Sequence, residues 1–241
     1  MKPAPFKNYG SIGHLPNSRL GPGDHSINER QAEILTEKAR DYKDLIIVQE
    51  KLDGANVGVM RDQNGDLITL TRKGHRCIDS PMEQFKMFED WVQEHKDRFD
   101  FLHKGERVVG EWLAMAHGTK YRIDFDPFIA FDILKEQRRL PYIFFLRRIG
   151  YNLLTAHLLH IGSPISVKKI EKMLDKRTEL AGVETYGYHG SLEPVEGAVW
   201  RVERDNEVDF LGKYVRAFKE DGKYFNEDHT KLIWNWRGEN G

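Results

Sequence analysis

The chain has 241 residues, of which 39% are hydrophobic, so it can form one substantial domain or two small ones, and global disorder is excluded. Its single cysteine, Cys77, excludes a disulfide framework and a cysteine-rich zinc site and favours a reducing, cytoplasmic setting. The net charge of −1 excludes a protein that is basic throughout. The N-terminal residues lack an apolar h-region, so we expect no signal peptide, and no stretch approaches the ~18 apolar residues of a membrane span.

One part of the chain departs from this neutral balance. Residues 135–177 contain ten basic and three acidic side chains, a local charge of +7, so the remainder carries −8. A basic face on a neutral protein suits a polyanion such as nucleic acid. Solvated helix faces explain the same count equally well.

The first third of the chain predicts an irregular segment, one helix and three strands. Residues 1–27 are rich in Gly, Pro, Asn and Ser and should lack regular structure. Asn28 and Gln31 make a capping box for a helix that extends to about Tyr42. Apolar and alternating residues then predict strands at 45–48, 56–60 and 66–72.

The rest of the chain continues this mixture of strands and helices. Ser80, Pro81 and Glu83 form a helix start, and the helix should extend to about Lys96. Residues 143–160 combine a short helix with an apolar stretch of unassigned state. The remaining predicted elements are strands at 107–113, 128–134, 195–204 and 207–215, a basic helix at 166–176 and a polar tail at 219–241. This order predicts an α+β fold with mainly antiparallel sheets and flanking helices.

The break between the first two strands carries the first candidate for chemistry, the segment Lys51-Leu52-Asp53-Gly54. A lysine at the end of a strand, followed by a glycine that permits a sharp turn, is a candidate covalent nucleophile. Its amine has a pKa of about 10.4 in isolation and attacks only where burial or nearby cations lower that value. Taken alone, the pattern is better explained by an ordinary hairpin with a solvated lysine. The residues further along the chain determine whether Lys51 is a candidate nucleophile.

Later strands supply charged and aromatic side chains that could act with this lysine. Glu111 lies among apolar neighbours, where a buried carboxylate needs a partner such as a ribose hydroxyl. Phe128 and Phe131 lie on one strand, where one ring could stack on a purine. Glu196 is followed by Gly197, which permits close approach of a backbone or a metal. Candidate phosphate-binding cations are Lys213, Arg216 and Arg72.

The chain resembles the covalent nucleotidyltransferases in five segments that follow the order of that superfamily's motifs I, III, IIIa, IV and V. The segments are KLDG at 51–54, GEW at 110–112, FIAFDI at 128–133, EGAV at 196–199 and KYVR at 213–216. ATP-dependent RNA ligases, DNA ligases and mRNA-capping enzymes share these motifs. The sequences of these segments are most similar to those of the RNA ligases, as are HLPNSR at 14–19 and EGAVWRVER at 196–204. The resemblance covers about residues 14–219.

This resemblance implies a single ATP-grasp-like adenylation domain over residues 1–241 that acts through a lysyl-AMP intermediate. The implied substrates are ATP and RNA with 5′-phosphate and 3′-hydroxyl ends, with DNA or hybrid nicks as alternatives, in an RNA-repair reaction. Mg²⁺ or Mn²⁺ is the implied metal, and no membrane or obligate protein partner is implied. Only 28 residues follow Lys213, so we expect no OB-fold domain.

The resemblance also implies a role for individual residues. Lys51 resembles the lysine that binds AMP covalently, and Glu196 resembles the carboxylate that holds the metal. Lys213 resembles the lysine on the α-phosphate. Arg216 is the candidate second cation, because Val215 stands where the family often has another lysine. The implied nucleotide-binding positions are the backbone of Glu50 and the side chains of Asn56, Arg72 (phosphate), Glu111 (ribose) and Phe131 (adenine, with Phe128 as the alternative).

Two classes of function stay open at this point. The first is an ATP-dependent RNA ligase, with a minimal DNA ligase or a capping guanylyltransferase as its relatives. The second is a non-catalytic nucleotide- or nucleic-acid-binding relative. Covalent labelling by ATP carrying a radioactive α-phosphate separates the two classes.

Overall fold

The computed structural model describes residues 6–180, 182–224 and 232–238. The elements of the first half are β1 (Gly13–His14), α1 (Glu29–Thr36), β2 (Leu45–Lys51), β3 (Ala55–Arg61), β4 (Leu67–Thr71), α2 (Glu83–Glu94), a short 3-10 helix (Lys96–Phe99), β5 (Glu106–Trp112) and β6 (Phe128–Lys135). Those of the second half are β7 (Arg138–Arg139), α3 (Tyr142–Ile149), β8 (Leu154–Thr155), β9 (Leu158–Gly162), α4 (Val167–Leu174), β10 (Arg177–Leu180), β11 (Val183–Tyr186), β12 (Gly197–Arg204) and β13 (Glu207–Val215). None of the described helices is long and apolar enough to cross a membrane.

The chain divides into two compact units, each built from separate stretches of sequence. Unit 1 contains the described residues of 1–10, 54–115 and 126–155. Unit 2 contains the described residues of 11–53, 116–125 and 156–241. The chain passes from unit 2 to unit 1 between Asp53 and Gly54.

Unit 1 is built on an antiparallel sheet in the order β4-β3-β5-β6-β7, with β8 paired in parallel to β6. Helix α2 packs against this sheet through aromatic rings. The Phe88 ring lies 5.2 Å from the ring centroids of both Trp112 on β5 and Phe128 on β6. Such aromatic pairs add about 0.5–1.5 kcal/mol each beyond the burial of their surface. The cluster therefore fixes the end of β5, which carries GEW, and the start of β6, where FIAFDI begins.

Unit 2 contains a five-stranded sheet in the order β1-β13-β12-β2-β9 and a separate hairpin, β10-β11. The pairing is antiparallel except between β1 and β13. Every second residue of β2 and β12 enters a core that α1 and α4 cover, as the period of a strand requires. This core includes Ile46, Val48, Ala198, Trp200, Val202, Leu35, Ile170 and Leu174. Because side chains alternate along β2, Lys51 points away from this core.

The predicted α+β class is confirmed, and the predicted strands are found with small changes at their ends. The hairpin interpretation of the segment around Lys51 is wrong. Strand β2 pairs with β12 and β9, whereas β3 pairs with β4 and β5 in a different sheet. Lys51 therefore ends a strand that has partners on both sides.

Two predicted helix boundaries are wrong for local reasons. The Asn28 capping box is present, but α1 ends at Thr36, because the seven residues after Leu35 offer few apolar side chains and Asp44 accepts the backbone N–H of Arg40 at 2.8 Å. Helix α2 begins at Glu83, because the Ser80 hydroxyl accepts the N–H of Met82 in a turn at 3.2 Å. The basic helix is shorter than predicted and spans Val167–Leu174. The unassigned segment 143–160 forms α3, β8 and the start of β9.

Candidate active site

Lys51, the candidate nucleophile, is paired with a buried carboxylate. Its Nζ donates to Glu196 Oε2 at 2.5 Å. The Lys51 side chain is 22% exposed and that of Glu196 is 9% exposed. Hydrogen bonds between charged groups are stronger than neutral ones, so this pair fixes the direction of the lysine. The amine is thus oriented and still accessible from solvent.

The position of Glu196 follows from the register of the sheet in unit 2. Gly197 lies opposite Lys51 on β2 and opposite Val215 on β13. A Cβ atom at position 197 would lie 1.8 Å from the carbonyl oxygen of Tyr214, which no side chain tolerates. The close approach predicted for Gly197 is therefore made by backbone. It brings β13 against β12 and places Glu196 beside Lys51.

Lys213 supplies a second, largely buried cation near this pair. It lies opposite Val199 on β12, is 15% exposed, and its Nζ lies 3.3 Å from Asp24 Oδ1. Burial lowers the pKa of Lys213, and the charge of Lys51 lowers it further, while Asp24 opposes both effects. Burial also raises the pKa of Glu196, which Lys51 partly offsets. Two lysines and a glutamate therefore act on one another within a small volume of unit 2.

A buried network holds the turn after the nucleophile. The Asp53 N–H donates to the Tyr121 hydroxyl at 3.0 Å, and the Thr119 hydroxyl donates to Asp53 Oδ2 at 2.7 Å. Lys219 Nζ donates in turn to Thr119 Oγ1 at 2.7 Å. Thr119, Tyr121 and Lys219 are all buried. The sequence analysis missed these three residues, because none stands at a recognisable spacing from the KLDG segment.

The side chains of Glu50 and Arg216 make their described contacts away from Lys51. Glu50 Oε2 accepts the Tyr188 N–H at 3.0 Å, and the Glu50 N–H donates to the His157 carbonyl at 2.9 Å. Burial raises the pKa of Glu50 to about 8, and the bond from Tyr188 opposes this shift. Arg216 Nη2 donates to Asp175 Oδ1 at 2.8 Å, at the end of α4. The role of Arg216 as a second phosphate cation stays a prediction.

In unit 1, Asn56 and Glu111 face each other across the β3–β5 pair. Glu111 Oε1 accepts the N–H of Gly54 at 3.1 Å, which supplies the partner that its carboxylate needs. The side-chain oxygen of Asn56 is buried and accepts no hydrogen bond from any described residue. An unsatisfied buried acceptor costs about 1–3 kcal/mol. A hydrogen bond from a ligand or a water molecule to the Asn56 oxygen would remove this cost.

The two candidate stacking rings differ in accessibility. Phe128 is completely buried in the aromatic cluster with α2. Phe131 is half-buried and packs edge-on against Tyr9, with 5.2 Å between the ring centroids. Phe131 is therefore the more accessible ring. Arg72 is exposed and directly follows β4.

The described residues contain no group of three His, Cys, Asp or Glu side chains that could hold a metal ion by themselves. Mg²⁺ is usually bound through one or two carboxylates together with substrate phosphates and water. Glu196, next to Lys51 and 9% exposed, fits that pattern as a single carboxylate. The site suits a divalent ion that shares its ligands with phosphates.

Comparison with known protein families gives one match. The sequence model of the RNA ligase family matches residues 44–215, a range that includes Lys51, Glu111, Glu196 and Lys213. The chain belongs to the RNA ligase family. No curated protein matches this RNA ligase family member.

Two solved structures share this fold. A Naegleria gruberi RNA ligase mutant with ATP and Mn is 15% identical, with a TM-score of 0.52, over 85% of this chain and 59% of that one. An Aquifex aeolicus protein, provisionally assigned as an ATP-dependent DNA ligase, is 18% identical, with a TM-score of 0.50, over 86% of this chain and 49% of that one. An archaeal ATP-dependent RNA ligase is 23% identical with a TM-score of 0.42, over 72% of this chain and 43% of that one. The RNA ligase family chain thus spans less than two thirds of each of these proteins.

Proposed function

We propose that the protein is an ATP-dependent RNA ligase that works through a covalent lysyl-AMP. Lys51 Nζ attacks the α-phosphorus of ATP, a nitrogen–phosphorus bond forms, and pyrophosphate leaves. The AMP then passes to the 5′-phosphate of an RNA end, which returns the amine of Lys51. Attack by a 3′-hydroxyl on that activated phosphate forms the phosphodiester and releases AMP.

One observation carries this proposal: Lys51 ends an interior strand, paired with Glu196 and within electrostatic range of Lys213, in a chain of the RNA ligase family. In phosphoryl transfer a protein contributes mainly by positioning the reactants and stabilising charge, so positioned charged groups supply most of the rate enhancement. Lys213 brings a positive charge toward the place where the α-phosphate would meet Lys51.

The divalent metal of this proposal is Mg²⁺ or Mn²⁺, held by Glu196 and the phosphates. When bound, it would neutralise phosphate charge. The similar Naegleria gruberi structure with ATP and Mn supports this choice. Within the chain itself, Glu196 holds Lys51 by hydrogen bonding, so this carboxylate serves both to orient the nucleophile and to receive the ion.

We propose the remaining nucleotide contacts on the basis of the family resemblance. In unit 1, Glu111 would bind the ribose, and Arg72 the phosphates. Asn56 would use its unsatisfied oxygen for a donor on ATP. In unit 2, the backbone of Glu50 would lie beside the base, and Arg216 would act on phosphate if it left Asp175.

Replacing Phe131 with alanine should weaken ATP binding by about 1–3 kcal/mol, the range for stacking of a base on an aromatic ring. Calorimetric titration with a non-reactive ATP analogue measures the loss. Phe144→Ala is the matched control, because Phe144 is a 40% exposed ring on α3 of the same unit. Equal affinities for wild type and Phe131→Ala would remove Phe131 from the adenine site.

The basic segment 135–177 contains two kinds of side chain. Some of its arginines are bound to acids: Arg139 to Asp132, and Arg148 to Glu106. The exposed basic side chains include Arg138 and Arg147 and, on helix α4, Lys168, Lys169 and Lys172. We propose all five as candidates for RNA phosphate contacts and test first the three lysines, which lie together on one helix.

Neutralising Lys168, Lys169 and Lys172 together should weaken RNA binding and end joining while self-adenylylation survives, since that step needs only ATP and metal. Each lost phosphate contact should reduce the log–log salt slope of binding by about one unit. The control is neutralisation of three other exposed lysines, Lys38, Lys86 and Lys104. Unchanged RNA affinity and salt slope would show that α4 is an ordinary solvated basic surface.

We further propose that the chain is an ATP-grasp-like adenylation domain and that the enzyme acts in the cytoplasm. Cys77 is buried, and burial raises its pKa to about 12, which fits an inert thiol.

An end-joining assay decides among the related activities. Nicks and single strands of RNA, DNA and hybrid composition, all with 5′-phosphate and 3′-hydroxyl ends, are compared under one set of conditions. The family match favours RNA, and preferred sealing of DNA would replace the proposal with a DNA ligase. Transfer of GMP from GTP would indicate a capping guanylyltransferase, and absence of any covalent nucleotide would indicate a non-catalytic relative.

A further inference from the structure

The HLPNSR segment, residues 14–19, has no role in the reaction described above. It begins at His14, the last residue of β1, which lies opposite Lys213 of β13. We name residues 14–24 the 14–24 loop. Three hydrogen bonds tie this loop to β13: Leu15 N–H to the Lys213 carbonyl at 2.8 Å, Arg19 N–H to the Val215 carbonyl at 2.9 Å, and Val215 N–H to Ser18 Oγ at 2.9 Å. The loop thus binds the β13 backbone from the Lys213 carbonyl to Val215.

His14 connects this backbone contact to an acid. It is 1% exposed, its Nδ1 lies 2.6 Å from Ser18 Oγ, and its Nε2 lies 3.0 Å from Asp24 Oδ2. Burial lowers the pKa of His14, and the charge of Lys213 lowers it further, against the opposing effect of Asp24. A neutral imidazole accepts from the Ser18 hydroxyl at Nδ1, and its Nε2 lies beside Asp24 Oδ2 without a regular hydrogen bond.

Asp24 is a fixed anion at the end of this chain of contacts. Its Oδ2 also accepts the Gly21 N–H at 3.0 Å, and its Oδ1 lies 3.3 Å from Lys213 Nζ. Burial alone would raise the pKa of Asp24, but the Gly21 N–H and the charge of Lys213 outweigh it and lower the pKa. The carboxylate is therefore ionised and faces Lys213.

Lys213 needs such an anion for a physical reason. Its side chain is long, mostly buried and close enough to Lys51 to be repelled by it. A buried cation without a counter-charge either loses its proton or moves toward water. Each of the two lysines has its own carboxylate: Glu196 binds Lys51, and Asp24 binds Lys213.

We propose that Asp24 is a positioning residue for Lys213, and that His14 and Ser18 keep the Asp24 carboxylate in place. The 14–24 loop then keeps the Lys213 ammonium charged and directed for its contact with the α-phosphate. This inference rests on the proposed function, because that contact belongs to the adenylylation step.

A double-mutant cycle on the full chain tests the inference. Single-turnover AMP labelling and unfolding midpoints are measured for wild type, Asp24→Asn, Lys213→Ala and the double variant. Asp24→Asn should slow labelling of the otherwise wild-type chain about tenfold, at the low end of the effect of outer-shell partners. In the Lys213→Ala background, the same change should alter labelling by less than about twofold, because residues that act through one another are not additive.

Asp221→Asn is the matched control. Asp221 binds Arg19 of the same loop at 2.9 Å, so its loss loosens the loop while Asp24 stays beside Lys213. Labelling by Asp221→Asn should stay close to wild type. An equal loss in Asp221→Asn, or an equal effect of Asp24→Asn in both backgrounds, overturns the inference.

The two readouts separate this inference from the proposed function. If the wild-type chain takes no AMP, the proposed function fails. The unfolding midpoints of the same four proteins still report the ion pair in that case: non-additive midpoints support the Asp24–Lys213 contact, and additive midpoints overturn it. If wild type is labelled and the labelling cycle is additive, this inference fails alone.

Discussion

Replacing Lys51 with alanine should abolish covalent AMP labelling, with a loss of more than about 10³-fold, as expected when a nucleophile is removed. No other amine takes its place, because attack requires the lysine at the end of β2. Labelling with ATP radioactive at the α-phosphate, followed by a denaturing gel, measures the effect. The fold should survive, because Lys51 points away from the core of unit 2.

Two controls make this experiment decisive. Lys43→Ala removes an equally charged side chain that is 39% exposed and paired with Asp205, and it should label normally. Lys51→Ala leaves the buried Glu196 carboxylate without its ammonium partner, which costs stability. The double variant Lys51→Ala/Glu196→Gln removes that unpaired charge and should unfold closer to the wild-type midpoint. Labelling that persists in folded Lys51→Ala would overturn the mechanism.

Replacing Glu196 with alanine or glutamine should slow lysine adenylylation by about 10²–10³-fold, the usual effect of removing one preorganised electrostatic group. Both variants lose the charge that orients Lys51 and that we propose to bind the divalent ion. The glutamine variant keeps the shape of the side chain, so it isolates the charge. Single-turnover labelling at saturating ATP measures the rate.

A metal titration separates the two roles of Glu196. If this carboxylate holds the ion, the variants should need more Mg²⁺ or Mn²⁺ for half-maximal labelling and should recover in part at high metal. An unchanged metal requirement would assign Glu196 to the orientation of Lys51 alone. Glu184→Gln, which changes an exposed acid on β11, is the control for loss of one negative charge.

The sequence predicted those parts of the site that lie on strands within short motifs. Lys51 and Glu196 were each placed at a strand terminus, and the register of β2 against β12 brings them together. Gly197 was predicted to allow close approach, and the approach of the Tyr214 carbonyl shows why a side chain is excluded there. The catalytic and binding roles themselves stay predictions.

Residues joined only through the tertiary fold were missed. Asp24 lies 189 positions before Lys213, and Thr119 lies 66 positions after Asp53. Periodicity and motif spacing describe neighbours along the chain, so they carry no information on such contacts. The HLPNSR segment was noticed as a resemblance, but its purpose depends on the parallel pairing of β1 with β13.

Helix ends were missed for a different reason. A capping box fixed the start of α1 correctly, because both partners lie within four residues. The start of α2 failed, because Ser80 uses its hydroxyl in a turn instead of an N-cap. The choice between Phe128 and Phe131 likewise needed the packing of α2 against β6, which only the structure supplies.

Strand β2 has consequences for how one lysine could serve successive chemical steps. Hydrogen bonds to β12 and β9 hold this strand on both sides, so its backbone is fixed in place. In the proposed mechanism, attack on ATP, carriage of the nucleotide and its delivery to an RNA end would each need a different direction of the Lys51 nitrogen. Because the backbone of β2 is fixed, the Lys51 nitrogen would have to move by rotation about the four carbon–carbon bonds of the side chain.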